Sequence, residues 1–435
     1  MPLKVIVIGA GLAGLGTAIA LNNQGHDVEV KRIPVVLDVI GWFVLLATCV
    51  FEQSSFMNEV GAAIHIPPNA TRILKEWGCD FSTLSPAFCH HLTVNDSNGK
   101  LIFKAVDTKE LQAALGTQDE WLLSHRVDLH STLHKRALET VNGKKPIIHL
   151  ASKVRSVNAD TATVVLEDGT THTADLIVGA DGIHSRSVTA VAGTPHEKKT
   201  TGQNTFRFLV PMEKIQANKL TRDFFVEHVL DGLQCFTSRD RRLVLYPCRQ
   251  GQLLNVVAMH PTSEFPSAAE SSWLAGANID DLLETYSGFC LPLIEMCKMA
   301  EDLKLWSLAS RTPPTVFWKS RLVLVGDAAH PTLPHQGQGG AQSFEDGAAL
   351  GALFPRESTT AQISQRLELY NKARYARAVT VMYMSKVNEE RRREMMPDLK
   401  RFVPDAQFPE HFIKYCWSSF ATADAQHLLQ QSQVT

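Results

Sequence analysis

Three short motifs in this chain combine glycine with strand-end positions in a way that suits a nucleotide. Val5-Ile-Val-Ile-Gly9-Ala-Gly11-Leu-Ala-Gly14 opens the chain. Gly179-Ala-Asp181-Gly182-Ile-His-Ser185-Arg186 follows the apolar run at Leu176, and Gly326-Asp327-Ala-Ala-His330-Pro331 follows another at Leu322. In the first motif Gly9 permits a sharp turn after a buried strand, Gly11 lets backbone N–H groups approach a pyrophosphate, and Gly14 permits close packing of the helix that begins there. The positive end of that helix faces the phosphates. In the other two, Asp181 and Asp327 stand at strand ends, where a carboxylate can accept a ribityl hydroxyl while glycine keeps the backbone clear of a bulky ligand. Four glycines from Gly9 to Gly16 argue against reading the apolar N-terminus as a signal peptide or membrane span.

A nucleotide-binding βαβ unit needs an acidic residue about 20 positions after its glycines, to hold the adenosine ribose. Here the second strand starts at Asp27-Val-Glu-Val30, but Lys31–Val50 intervenes before Phe51-Glu52-Gln53. Gly14 to Glu52 spans 52 − 14 = 38 residues, and removing the 20 of Lys31–Val50 leaves 18, which makes Glu52 the ribose carboxylate. The stretch Ile33 to Phe51 carries one charge, Asp38, in 19 residues. That is long enough for a membrane helix, but a bilayer there would separate two strands of one sheet. An aberrant insertion, such as a translated intron or gene-model error, is the favoured reading. An extra apolar strand or hairpin on the sheet is the other.

The supporting elements follow from composition and pattern. With 435 residues, 44% hydrophobic and 20% charged, the chain has material for two domains and is neither disordered nor fibrous. A formal net charge of −2 favours neither nucleic acid nor an anionic membrane as partner. Eight scattered cysteines without a CxxC pair point to a reducing cytoplasm and to no metal site. The small residues of Gly61-Ala-Ala63 let backbone lie against a ligand. Leu92 to Phe103 reads as a hairpin, Arg126 to Leu138 as a capped amphipathic helix, and Thr205 to Pro211, Arg242 to Tyr246 and Leu253 to Met259 as strands of a separate layer. The longest helix is expected from about Ala361 to Met395.

Taken together and in this order, the three motifs make the chain similar to the single-component FAD-dependent aromatic hydroxylases of the para-hydroxybenzoate hydroxylase fold, and to the fungal salicylate-hydroxylase-like monooxygenases among them. The resemblance covers essentially everything outside Lys31–Val50. It implies an α/β fold: a Rossmann-like FAD-binding domain from 1–88, 119–199 and 311–435, a β-rich substrate-binding layer from 89–118 and 200–310, and C-terminal helices. It also implies that Glu52 holds the ribose, Arg126 lies near the FAD phosphates, Ala63 and Asp181 border the cofactor, and Asp327 binds the ribityl chain. In Pro334-His-Gln-Gly337-Gln-Gly339-Gly340, amides at Gly339 and Gly340 face the flavin pyrimidine, where positive helix dipole favours the anionic reduced ring. One departure is visible: Val188 and Thr189 stand where the family often has a second arginine.

The resemblance further implies NAD(P)H as electron donor, bound without a Rossmann domain of its own, and O2 as co-substrate through a flavin C4a-hydroperoxide. The substrate is then a small phenolic aromatic acid or polyketide. Arg207, in Thr205-Phe-Arg-Phe-Leu-Val-Pro211, matches an arginine that holds a phenolate and lowers its pKa. Tyr246 is expected to border that pocket and His335 to relay a proton. The rival expectations are a flavin oxidase or dehydrogenase on the same fold, and a protein inactivated by its insertion. The pattern leaves oligomeric state open.

Overall fold

The computed structural model describes residues 2–28, 49–51, 63–141, 143–149, 152–262, 277–387 and 389–434. Glu52, and Lys31–Val50 apart from Cys49 and Val50, lie outside them.

Four consecutive apolar residues, Val5 to Ile8, are buried in the strand Lys4–Ile8, as a strand covered on both faces requires. It pairs in parallel with Leu176–Gly179, which pairs with Leu322–Leu324; Trp318–Lys319 closes that edge antiparallel. All three glycine motifs therefore leave the C-terminal ends of adjacent parallel strands, the place where open α/β sheets bind ligands.

On the other side of Lys4–Ile8 lie Asp27–Val28 and Cys49–Phe51, with Ile147–His149 beyond. Lys4 faces Asp27 and Val5 faces Val28, an offset of 27 − 4 = 23 residues. Val7 faces Val50 and Ile8 faces Phe51, an offset of 50 − 7 = 43 residues. The two pieces occupy successive positions of one strand, and their offsets differ by 43 − 23 = 20, the length of Lys31–Val50.

A second sheet runs in the order Glu301–Ser310, Lys199–Pro211, Leu253–Pro261, Arg242–Cys248, Leu233–Thr237, His91–Asp96, Leu101–Asp107. The expected hairpin is its far edge, joined to Leu233–Thr237 by parallel pairing. Period-two alternation sorts its faces. Phe206, Phe208, Leu243, Leu245, Val256 and Ala258 turn into a core shared with the helices Ile279–Thr285 and Leu291–Lys298. The register therefore leaves Thr205, Arg207, Arg242, Val244, Tyr246, Val257 and Met259 on the opposite face.

Two helix expectations need correction. The helix Arg126–Ala137 has no side-chain cap, since His125 precedes it and makes none. The long helix is Ile363–Met384, and Glu389–Met395 is a separate 3-10 segment. At its end the Ser385 hydroxyl donates to the Met382 carbonyl and accepts the Leu333 amide, so the helix stop also anchors the loop that starts at Pro334.

Candidate active site

Gly9 has φ +100°, and a Cβ there would fall 2.5 Å from the Ala180 carbonyl oxygen; one at Gly14 would fall 1.8 Å from the Gly9 carbonyl oxygen. No side chain is tolerated at either. At Gly11 a Cβ would meet nothing within 4 Å, so this amide-bearing side of the turn is open. A cavity of about 250 Å³ lies against Gly9, Gly11 and Asp181–Gly182. His130, from the Arg126–Ala137 helix, donates to the Ala10 carbonyl at 2.8 Å and so fixes that helix against the turn. The bidentate pair of Arg249 with Asp128, both contacts 2.9 Å, holds the same helix start to the second sheet.

The two aspartates differ. Asp181 accepts from the Ser185 and Ser187 hydroxyls and from the Arg186 and Ser187 amides, so its carboxylate closes its own turn. Asp327 reaches solvent, yet protein crowds it closely enough that desolvation pushes its carboxyl up, against the pull of His330, Arg311 and Arg126. It lies within the field of Arg126.

Arg207 stands on the open face of the second sheet, its guanidinium 4.4 Å from the centroid of Trp306. Its Nε has no hydrogen-bond partner, and among the described residues it has no ion-pair partner. Burial lowers its pKa, with Tyr246 opposing and Arg126 reinforcing the shift; a guanidinium nonetheless stays cationic at working pH. Tyr246 is close by but committed: its hydroxyl donates to the Ala63 carbonyl at 2.8 Å, and the Ala63 amide donates to Asn255 Oδ1 at 3.0 Å. Burial raises the Tyr246 pKa. The Ala63 amide is thereby used within the protein, and its carbonyl already accepts one hydrogen bond.

His335 comes over this face from the Pro334–Gln336 segment, and its Nδ1 lies 2.8 Å from Arg242 Nη2. A guanidinium only donates. Nδ1 thus accepts, and Nε2 carries the ring proton, buried without a hydrogen-bond partner among the described residues. Burial, aided by Arg242, lowers the His335 pKa to about 3. Beyond it Gly339 and Gly340 begin the helix Gly339–Leu353, where Cβ atoms would meet Thr332 Oγ1 at 2.7 Å and Ile64 Cδ1 at 3.1 Å.

A sequence profile for the FAD binding domain matches residues 2–385. The chain belongs to that family. FAD is its cofactor, and it is an FAD-dependent monooxygenase. It is similar to hispidin-3-hydroxylase of Neonothopanus nambi, 33% identical with 86% of each chain covered. It is also similar to the FAD-dependent monooxygenase cfoG of Aspergillus candidus, 30% identical over 94% of this chain and 90% of that one. The fold matches that of CtdE in complex with FAD and a substrate, with TM-score 0.75 at 20% identity over 99% and 100% of the two chains. A salicylate hydroxylase substrate complex gives TM-score 0.71 at 22% identity over 98% of each.

The residues of this monooxygenase fit the cofactor: an open glycine turn beside a cavity, an exposed acid at a strand end, and a helix N-terminus that begins with two glycines. Several groups that hold this shape are not apparent in the sequence. Arg311 donates to the Ile183 and Asp327 carbonyls and so ties the second motif to the third. His65, its Nδ1 accepting from the Trp121 indole at 3.1 Å, lies where a Cβ on Gly337 (φ +57°) would stand, 1.4 Å from its Nε2. Burial lowers its pKa to about 4. Glu345 and Asp346 are wholly buried: Asp346 accepts from the Gly326 amide and from His330, and Arg374 bridges both acids. Burial alone would raise the Glu345 pKa, but Arg377 and Arg374 hold it at about 2. Arg242, which precedes Tyr246 by four residues and so shares its strand face, is marked in the sequence by periodicity, and the groups just named are not.

Among the described residues no helix is long and apolar enough to cross a membrane, and no group of side chains could hold a metal ion.

Proposed function

We propose that this monooxygenase hydroxylates a phenolic aromatic acid or polyketide at the expense of NAD(P)H and O2. FAD, when bound and reduced, would supply the electrons that activate O2 as an electrophilic oxygen donor. The observation that carries the reading is Arg207, a cation that has no ion-pair partner among the described residues, on the open face of the second sheet. An ionised hydroxyl beside it is stabilised, and a phenolate is more reactive toward an electrophile than a phenol. Relatives named for hydroxylating hispidin and 3-hydroxybenzoate support the aromatic class.

In this reading Gly9, Gly11 and Gly14 admit the pyrophosphate, Arg126 adds positive charge beside it, Asp327 takes the ribityl chain, and amides at Gly339 and Gly340 face the flavin ring. Asp181 acts indirectly, by closing its turn. Glu52, one residue beyond the pairing of Phe51 with Ile8, is the proposed ribose carboxylate. The described strand assignments support a division into an FAD-binding part, 1–88, 119–199 and 311–435, and a substrate layer, 89–118 and 200–310.

The test is NAD(P)H oxidation by the FAD-loaded chain across a panel of phenolic acids, in wild type and Arg207→Ala. The variant is expected to keep FAD and lose about 100-fold in phenol-stimulated turnover, roughly the 3 kcal/mol that a desolvated charge contact supplies. Full turnover in Arg207→Ala would remove Arg207 from the reaction.

A further inference from the structure

We propose that a small cavity between the loop that starts at Pro334 and the helix Phe412–Trp417 is a subsite for a carbonyl oxygen of the substrate, and that it selects a phenol carrying a ketone over one carrying the corresponding alcohol. The inference deepens the hydroxylase reading above and rests on it.

The cavity measures about 60 Å³, less than half of the roughly 150 Å³ that admits a benzene ring, so it takes a substituent and not a ring. Trp121, Phe412, Ile413 and Trp417 wall it, together with Leu92 and Leu233 of the second sheet. It adjoins the Arg207 end of that sheet. His65 lines it, with its ring centroid 6.3 Å from that of Tyr246, and Tyr246 stands close enough to Arg207 to oppose the effect of burial on the guanidinium. The cavity also shares Leu92, Leu233, His335, Gln336 and Ile413 with a larger one of about 690 Å³, which has room for the ring itself.

Four side chains on the small cavity are set as hydrogen-bond donors by what stands behind them. The Trp121 indole only donates, so at 3.1 Å it makes His65 Nδ1 an acceptor and puts the ring proton on Nε2. Arg242 does the same to His335 at 2.8 Å. Arg392 donates to Gln336 Oε1 at 2.8 Å, which leaves NH2 as the other arm of that amide. Gln338 is fixed through a longer relay. Arg374 and Arg377 hold Glu345 ionised, Glu345 accepts from Asn69 Nδ2 at 2.7 Å, and the same Nδ2 donates to Gln338 Oε1 at 3.2 Å. Gln338 is 4% exposed, and its remaining arm is again NH2.

Burial keeps both histidines neutral at neutral pH, so all four donors are uncharged. The acceptor atom of each is turned to the partner behind it. A carbonyl oxygen offers only lone pairs and suits such a cavity, whereas a hydroxyl must also place a proton. A carboxylate would lose its water to uncharged donors and aromatic walls, a cost that a neutral carbonyl avoids.

The test is flavin-absorbance titration of the FAD-loaded full chain with 4-hydroxyacetophenone, 4-(1-hydroxyethyl)phenol, 4-ethylphenol and 4-hydroxybenzoate. The ketone is expected to bind about tenfold more tightly than each of the others. Its C=O band in an isotope-edited infrared spectrum of the complex is expected at or below its frequency in water. Gln336→Glu keeps an acceptor for Arg392 but replaces the donor arm with an oxygen, and is expected to shrink the margin over the alcohol and raise the band; Gln338→Met is expected to do the same. Equal binding of ketone and alcohol, tighter binding of 4-hydroxybenzoate than of the ketone, or a C=O band at its frequency in dry hexane overturns the assignment. A margin unchanged in both variants overturns it as well. If none of the phenols perturbs the flavin or stimulates NAD(P)H oxidation, the hydroxylase reading fails too; hydroxylation of these phenols without preference for the ketone sinks the subsite alone.

Discussion

Both backbone polar groups of Ala63 are held by a cross-strand pair, Tyr246 donating to its carbonyl and Asn255 accepting from its amide. A hydroxyl so engaged is a poor proton carrier, and burial, which raises its pKa, makes it poorer. Tyr246→Phe is therefore expected to cost about 1–3 kcal/mol of stability by stranding a buried carbonyl, and to leave hydroxylation within about threefold. Denaturant unfolding and initial rates check the two halves separately. A 100-fold rate loss at unchanged stability would restore Tyr246 to the chemistry. His335 differs in that its Nε2 proton has no acceptor among the described residues, which keeps its expected proton-handling role open to a substrate oxygen.

At the scale of elements, the split strand beside Lys4–Ile8 bears on the cofactor directly. Its two pieces keep one register across an offset change of 43 − 23 = 20 residues, so deleting Lys31–Val50 restores consecutive pairing up to Phe51. The shortened chain is expected to fold, to melt at a higher temperature because a long loop closure is removed, and to hold at least as much FAD per chain. Thermal melts and the flavin-to-protein absorbance ratio measure this, and loss of FAD on deletion would show that the segment belongs to the site. Sequencing the spliced transcript tests its origin: finding those 20 codons present would dismiss the intron reading. The glycine turn, the strand ends and the two sheet faces were legible in the sequence because each depends on local steric demand or period-two alternation. The clamps were not. Arg242 meets His335 across 93 residues and Arg311 reaches Ile183 across 128, and nothing local to either residue marks such partners.

Across the whole molecule, burial of neutral histidines ties stability to pH. His65 and His335 titrate at about 4 and about 3 in the folded chain, below the ordinary value of 6.5. Between those values the unfolded chain binds protons that the folded one refuses, so their contribution is complete above pH 6.5 and is lost as pH falls toward 4 for His65 and toward 3 for His335. The loss is at most on the order of 3 kcal/mol for His65 and about 5 kcal/mol for His335. The His65→Gln, His335→Gln double variant is expected to flatten the slope of unfolding free energy across that window; an unchanged slope would mean that neither ring is held neutral. Glu345, held at about 2, adds a second decline only below the usual carboxylate range.

The account turns on oxygen transfer to an aromatic ring, and mass spectrometry of product formed under 18O2 tests that most directly. With FAD, NAD(P)H and a phenol from the panel that stimulates turnover, one labelled oxygen atom is expected in each product molecule. Product without label, accompanied by stoichiometric hydrogen peroxide, would contradict hydroxylation and make the chain an oxidase.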